Sequence, residues 1–280
     1  MEYKKTAFHC EAGVATITMD CPENLNAIDV DMAKELLERL YQCDRSSEVK
    51  VVVLKGGVRA FSAGGDIRYL YDNIQRGVVE SSELVVLVGK LALAMKQLNK
   101  LVICAVSGSA AGAGANLALS GDFVVCSENA RFIQAFVGIA LVPDTGGPYL
   151  LSRSIGAQRA LEMCITGRPV PAEEALRLGL VHEICPREEL EERTMALARK
   201  LAAGPLFAYG YTTSHGSCLG DGTATSPVYY NGHGQGTICG MVDGSVRAFR
   251  ETELYAFNNL PNGDKPHTRV HWFINNASLW

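Results

Sequence analysis

Ser107-Gly108-Ser109-Ala110-Ala111-Gly112-Ala113-Gly114-Ala115-Asn116-Leu117-Ala118-Leu119 joins an apolar run, Leu101 to Val106, to a segment patterned as a buried helix. Four small residues in a row, Ala110 to Ala113, followed by Gly114 and Ala115, let another group approach the backbone closely. N–H groups at such a strand-to-helix corner have no intrahelical partner, and the helix dipole adds positive potential there. A corner of this kind can hold a carbonyl oxygen that becomes negative. Close packing alone also explains small residues, and Gly112-x-Gly114 lacks the third glycine of the dinucleotide fingerprint.

Working outward, the flanking sequence alternates strands with helices. Val14 to Met19 alternates as a half-buried strand and stops at Cys21-Pro22. Asp29 is placed to cap a helix carrying Met32, Leu36, Leu37 and Leu40. Val51 to Leu54, Leu101 to Val106 and Phe123 to Cys126 are short continuous apolar runs, as in strands buried on both faces. Helical patterns cover about 80–98, 155–165, 171–178 and 186–203. This order predicts an α/β fold with parallel pairing. The loops at Gly56–Gly65 and Ser107–Gly114 then follow neighbouring strands, where such folds place ligands.

The bulk properties narrow the function classes. Hydrophobic residues make up 48% and charged residues 20%, the balance of a globular chain, and 280 residues can bury a sizeable core. A net charge of −4 with no basic stripe leaves no electrostatic footprint for nucleic acid. No apolar run is long enough to span a bilayer, and residues 1–5 lead into a strand pattern without a signal-peptide core. Nine scattered cysteines without a CxxC pair fit a reducing, cytoplasmic setting.

Composition changes at Thr212: from there to Trp280 stand nine glycines, four of the six histidines and both tryptophans. The sequence therefore divides into a core, 1–211, and an atypical segment, 212–280. Residues 216–244 are patterned as loops or disorder, and only Ser245 to Phe257 keeps a helix-like amphipathic pattern. His267-x-x-x-His271 has metal-ligand spacing but no third ligand, and no metal site is expected.

Two further segments carry chemistry. Ala60-Phe61-Ser62-Ala63-Gly64-Gly65-Asp66-Ile67 is a tight turn followed by a helix capped by Asp66. It also offers a second donor, the Gly65 N–H, toward the point faced by the 112–114 corner. Two convergent donors make an oxyanion hole, each worth about 3 kcal/mol to a developing oxyanion. In the stretch Phe132 to Gly147, Asp144 follows an apolar run and precedes Thr145-Gly146-Gly147. Aspartate after proline is commonly a turn residue. In apolar surroundings its pKa would instead rise, which suits a proton shuttle.

With these loops, Pro22-Glu23-Asn24-Leu25-Asn26-Ala27, Gly167-Arg168-Pro169 and Glu173 to Val181, the chain from Ala12 to Gly210 resembles the crotonase (enoyl-CoA hydratase/isomerase) superfamily. The resemblance implies a ββα spiral core, an acyl-CoA thioester substrate, coenzyme A as part of that substrate rather than a separate cofactor, and a homotrimer or dimer of trimers. It places the oxyanion donors on Gly65 and Ala113. Asn24, Leu25, Ala27, Ala63, Gly64, Asp66, Ile67, Gly112, Asn116, Phe136 and Ile139 are expected at the substrate. In the family, helices beyond the position of Tyr211 cover the acyl pocket and support the trimer; here glycine-rich sequence stands in their place.

The carboxylates select the branch. Family hydratases use two glutamates, and the matching positions hold Asn116 and Phe136. The motifs resemble the isomerase branch of phenylacetate degradation, whose functional aspartate matches Asp144. The implied reaction moves a 3-enoyl-CoA double bond to the 2-position, or rearranges a ring epoxide, with Asp144 as the single acid/base and Phe136 and Ile139 keeping water out. A dehalogenase member pairs an aspartate here with a tryptophan, matched by Phe136, and a histidine; residues 80–106 contain none. A weak hydratase and a non-catalytic acyl-CoA-binding homologue are the alternatives.

Overall fold

A computed structural model describes residues 3–57, 59–76, 82–203, 239–242 and 245–248. The chain divides into two units, Met1–Gly204 and Pro205–Trp280. In the first, β1 (Thr6–Glu11) pairs antiparallel with β2 (Val14–Met19). Helix α1 (Val30–Arg45) starts at Asp29, whose Oδ1 accepts from the Met32 N–H at 2.9 Å. Such caps are worth about 0.5–2 kcal/mol, and this one fixes where the helix begins.

A repeated pattern then follows: a long strand, a short strand, then helix. β3 (Val51–Lys55) leads to β4 (Ala60–Ser62), α2 (Ile67–Gln75) and α3 (Ser82–Gln97). β5 (Leu101–Val106) leads to β6 (Ser109–Ala111) and α4 (Ala113–Leu119). β7 (Phe123–Ser127) leads to β8 (Arg131–Ile133), a 3-10 turn at Ala135–Ile139, α5 (Gly147–Ile155) and α6 (Ala157–Thr166). β9 (Pro169–Pro171), α7 (Ala172–Leu178), β10 (Glu183–Cys185) and α8 (Leu190–Ala203) complete the unit.

The long strands form one sheet in the order β1-β2-β3-β5-β7-β10, parallel from β2 onward. The short strands form a second, β4-β6-β8-β9. The period of two explains the apolar runs. Val52, Leu54, Val102, Cys104 and Val106 join the main core, while Val51, Val53, Leu101, Ile103 and Ala105 pack on the other face with Leu190, Ala198 and Ala202 of α8.

The α/β layering with parallel strands is as expected from sequence, with two corrections inside it. The turns at 56–65 and 107–114 contain the short strands β4 and β6, since three residues carry too little periodicity to register. The helix expected over 155–165 is α6, and a helix not expected from the sequence, α5, precedes it across Gly156. In the second unit, β11 (Cys239–Val242) pairs antiparallel with β12 (Ser245–Ala248). This corrects the loop reading over 239–242 and the helical reading over 245–248. Apolar Val246 and Ala248 alternate with Ser245 and Arg247, a strand-like period of two. The remaining expectations for 212–280, His267 and His271 included, lie outside the described residues.

The two layers meet where α4 begins. A Cβ at Gly114 would fall 2.7 Å from both Cβ and O of Ser62, so only glycine lets the helix reach β4. Gly114→Ala is therefore expected to lower stability by about 1–3 kcal/mol in chemical denaturation. An unchanged midpoint would show that the layers separate freely.

Candidate active site

The segment 24–28 folds back on the first glycine loop. The Ala63 N–H donates to Leu25 O (3.0 Å), the Ile28 N–H to Gly64 O (2.7 Å) and the Asp66 N–H to Ile28 O (2.9 Å). Asn26, 1% exposed, holds this from inside: Oδ1 accepts from the Cys21 N–H, Nδ2 donates to Ala60 O and Phe61 O, and its carbonyl accepts from Ser62 Oγ. These bonds keep Leu25 and Asn26 in consecutive left-handed conformations (φ 59° and 55°), which side chains with a Cβ disfavour. Asn24, Leu25 and Ala27 are thereby set beside Ala63, Gly64 and Gly65.

Gly64 brings that loop to the corner of the opening motif. Its φ is +94°, and a Cβ there would lie 2.7 Å from Ala111 O and 3.4 Å from Ala113 N. The corner is fixed in turn by the Gly112 N–H, which donates to Ile133 O at 2.8 Å. Ala113 is the first residue of α4, so its N–H has no place in the helical ladder. Among the described residues neither that N–H nor the N–H of Gly65 donates to a backbone carbonyl. The Asp66 carboxylate is engaged with α2, its Oδ1 accepting from the Arg68 and Tyr69 N–H groups.

On the far side of the corner, the Phe136 ring is 6% exposed, and a Cβ at Gly112 would touch it at 3.8 Å. Asp144 sits between Pro143 and a left-handed Thr145 (φ 54°), half-buried. The Thr145 hydroxyl donates to Asp144 Oδ1 at 2.6 Å. Burial pushes the Asp144 carboxyl above the ordinary aspartate value, and the Thr145 hydrogen bond draws it part of the way back. A hydrogen bond from its own backbone N–H draws it down as well.

The expected residues separate by place. The 24–27, 63–66 and 112–113 segments meet through backbone contacts, and Phe136 joins them at Gly112. Asn116 is completely buried: its Nδ2 donates to Asp144 O at 2.9 Å and its Oδ1 accepts from Gln134 Nε2 at 2.8 Å. Ile67 and Ile139 are exposed, at 56% and 47%. Sequence reading singled out neither Ser62, Gln134 nor Thr145, and took Asn26 only as part of the 24–27 segment. Ser62 and Asn26 lay inside segments that stood out, and Thr145 is a hydroxyl adjacent to the singled-out aspartate. Cys10, Cys21, Cys43, Cys104, Cys126, Cys164 and Cys185 are free thiols, and among the described residues no helix is long and apolar enough to cross a membrane.

Comparison with known proteins gives a consistent answer. Residues 9–215 match the family described as enoyl-CoA hydratase/isomerase. A trans-2-decenoyl-[acyl-carrier-protein] isomerase of Streptococcus mutans is 35% identical over 75% of this chain and 80% of its own length. A 1,2-epoxyphenylacetyl-CoA isomerase of Escherichia coli is 37% identical over 72% of this chain and 78% of its own length. Among solved structures, an enoyl-CoA hydratase from Mycobacterium avium subsp. paratuberculosis superposes with a TM-score of 0.67 at 31% identity, covering 73% of this chain and 78% of that one.

The setting of Asp144 can be measured without a substrate. Thr145→Val removes the hydroxyl donor at nearly constant volume, so the Asp144 carboxyl should titrate at higher pH than in wild type. Thr145→Ser should restore the wild-type midpoint. Carbon-13 NMR of the aspartate carboxyls reads both, and equal midpoints in all three proteins would remove Thr145 from the site.

Proposed function

The chain belongs to the enoyl-CoA hydratase/isomerase family, and on that footing we propose that it is an acyl-CoA isomerase that moves a 3-enoyl-CoA double bond to the 2-position. The Asp144 carboxylate removes a proton from C2 of the bound thioester. The electron pair moves onto the thioester oxygen, giving an enolate held by the N–H groups of Gly65 and Ala113. As the enolate collapses, C4 takes the proton back from the Asp144 carboxylic acid, and the double bond ends between C2 and C3. One base and two donors suffice, so no water enters the balance. Rearrangement of a ring epoxide would use the same hole for its acyl thioester, and coenzyme A enters only as part of the substrate.

The observation that carries this reading is the pairing of one half-buried carboxylate with non-ionisable partners. Phe136 puts an apolar ring against the corner, and the Asn116 amide has both polar atoms engaged. Water addition in the two-glutamate manner has no second carboxylate at either position. The subunit arrangement proposed with this reading is a homotrimer or a dimer of trimers.

Asp144→Asn should reduce conversion of 3-enoyl-CoA to 2-enoyl-CoA by about 10²–10⁴-fold. Ala113→Pro removes one donor at a helix position that tolerates proline and should cost about 10²–10³-fold. In wild type, kcat/KM should fall on acidification as Asp144 takes up its proton. Because burial raises that pKa, the acid limb should lie above the ordinary aspartate range. Product analysis by chromatography checks all three. Full activity in Asp144→Asn would refute the base assignment. Binding of CoA esters without turnover would favour a non-catalytic homologue, and net water addition would favour a hydratase.

A further inference from the structure

Resting on the isomerase reading above, we propose that Asn116, oriented by Gln134, is the positioning residue that fixes Asp144 relative to the Ala113 N–H. Between Leu141 and Gly147 the chain runs from an open end to a buried one: Leu141 is 45% and Val142 82% exposed, while Thr145 is 5% exposed. The hydrogen bonds within this stretch are mostly local. Leu141 N–H donates to Phe136 O, Gly147 N–H to Asp144 O, and Thr145 Oγ1 to Asp144 Oδ1. The bond that ties Asp144 to α4 is Asn116 Nδ2 to Asp144 O.

The same amide braces the stretch twice. Gly147 packs so tightly on it that a Cβ there would stand 2.5 Å from Asn116 Cγ. The amide cannot turn without loss. Asp144 O can only accept and Gln134 Nε2 can only donate, so Nδ2 must face the first and Oδ1 the second. Both amides are 0% exposed, and each comes from a different side: Asn116 from α4, Gln134 from the residue after β8. Asn116 lies three residues beyond Ala113, and its own N–H donates to Gly112 O at 3.1 Å. One helical turn, about 4.5 Å along the axis, therefore separates Asn116 from the residue that carries the oxyanion donor.

The test uses the full-length chain and three variants. Asn116→Leu keeps the shape and removes the donor. Its kcat on 3-enoyl-CoA should fall about 10²-fold, the cost of a misplacement near 1 Å, with KM within about twofold of wild type. Gln134→Met leaves Asn116 free to turn and should lower kcat in the same direction by less. In an Asp144→Asn background, Asn116→Leu should cost nothing further. Independently of turnover, the Asp144 carboxyl should titrate closer to the ordinary aspartate value in Asn116→Leu, because its segment opens to solvent. Carbon-13 NMR reads this, and if Asn116→Leu does not fold, Gln134→Met decides on the same two readouts.

Wild-type kcat together with an unmoved Asp144 midpoint would overturn the proposal. So would a loss repeated in full in the Asp144→Asn background, or one confined to KM. A wild type that shifts no double bond refutes the isomerase reading instead, while the titration still decides whether Asn116 places Asp144.

Discussion

Two stretches of backbone lie against one another at Gly64 and Ala111–Gly114 with no side chain between them, and the rest of the first unit is arranged to make that contact possible. Parallel β3 and β5 are neighbours, so their following turns emerge side by side. β4 and β6 then pair, which sets the two turns in register. Helix α4 must start almost on top of Ser62, and its sequence of small residues permits this while keeping residues 113–118 buried. A side chain added at this contact would separate two N–H groups whose usefulness depends on facing the same point.

Different physical ranges of interaction were legible to different degrees. The long strands and the start of α1 could be read because period and capping are local, confined to a few residues. The glycine-alanine corner stood out because close backbone approach leaves a compositional trace. The short strands β4, β6, β8 and β9 left none. Asn26 lies 34 residues from its partner Ala60, and Asn116 lies 28 from Asp144 and 18 from Gln134. Nothing in the neighbourhood of a buried asparagine reveals which distant carbonyl it will bond. The 239–248 hairpin misled for a related reason: its strands are four residues each, and a short alternation can be drawn through a helical period as well.

The site divides its tasks cleanly between backbone and side chain. Backbone N–H groups, whose positions are set by sheet registry and helix start, face the oxygen of the thioester in the proposed reaction. In the same proposal the Asp144 carboxylate moves the proton, its pKa raised by burial and lowered by the Thr145 hydroxyl. Within a fold that hosts several thioester chemistries, the choice among them then falls to a few side chains around a constant backbone.

The contact between Gly147 and the Asn116 amide has a consequence for how such an enzyme can change. Glutamate at 116 would be one methylene longer, in a space that Gly147 already fills. Accommodating it would displace the stretch that carries Asp144, so gaining a second carboxylate here means surrendering the placement of the first. In the proposed chemistry, residue 116 and the stretch that covers it would therefore have to change together for a second carboxylate to enter this corner.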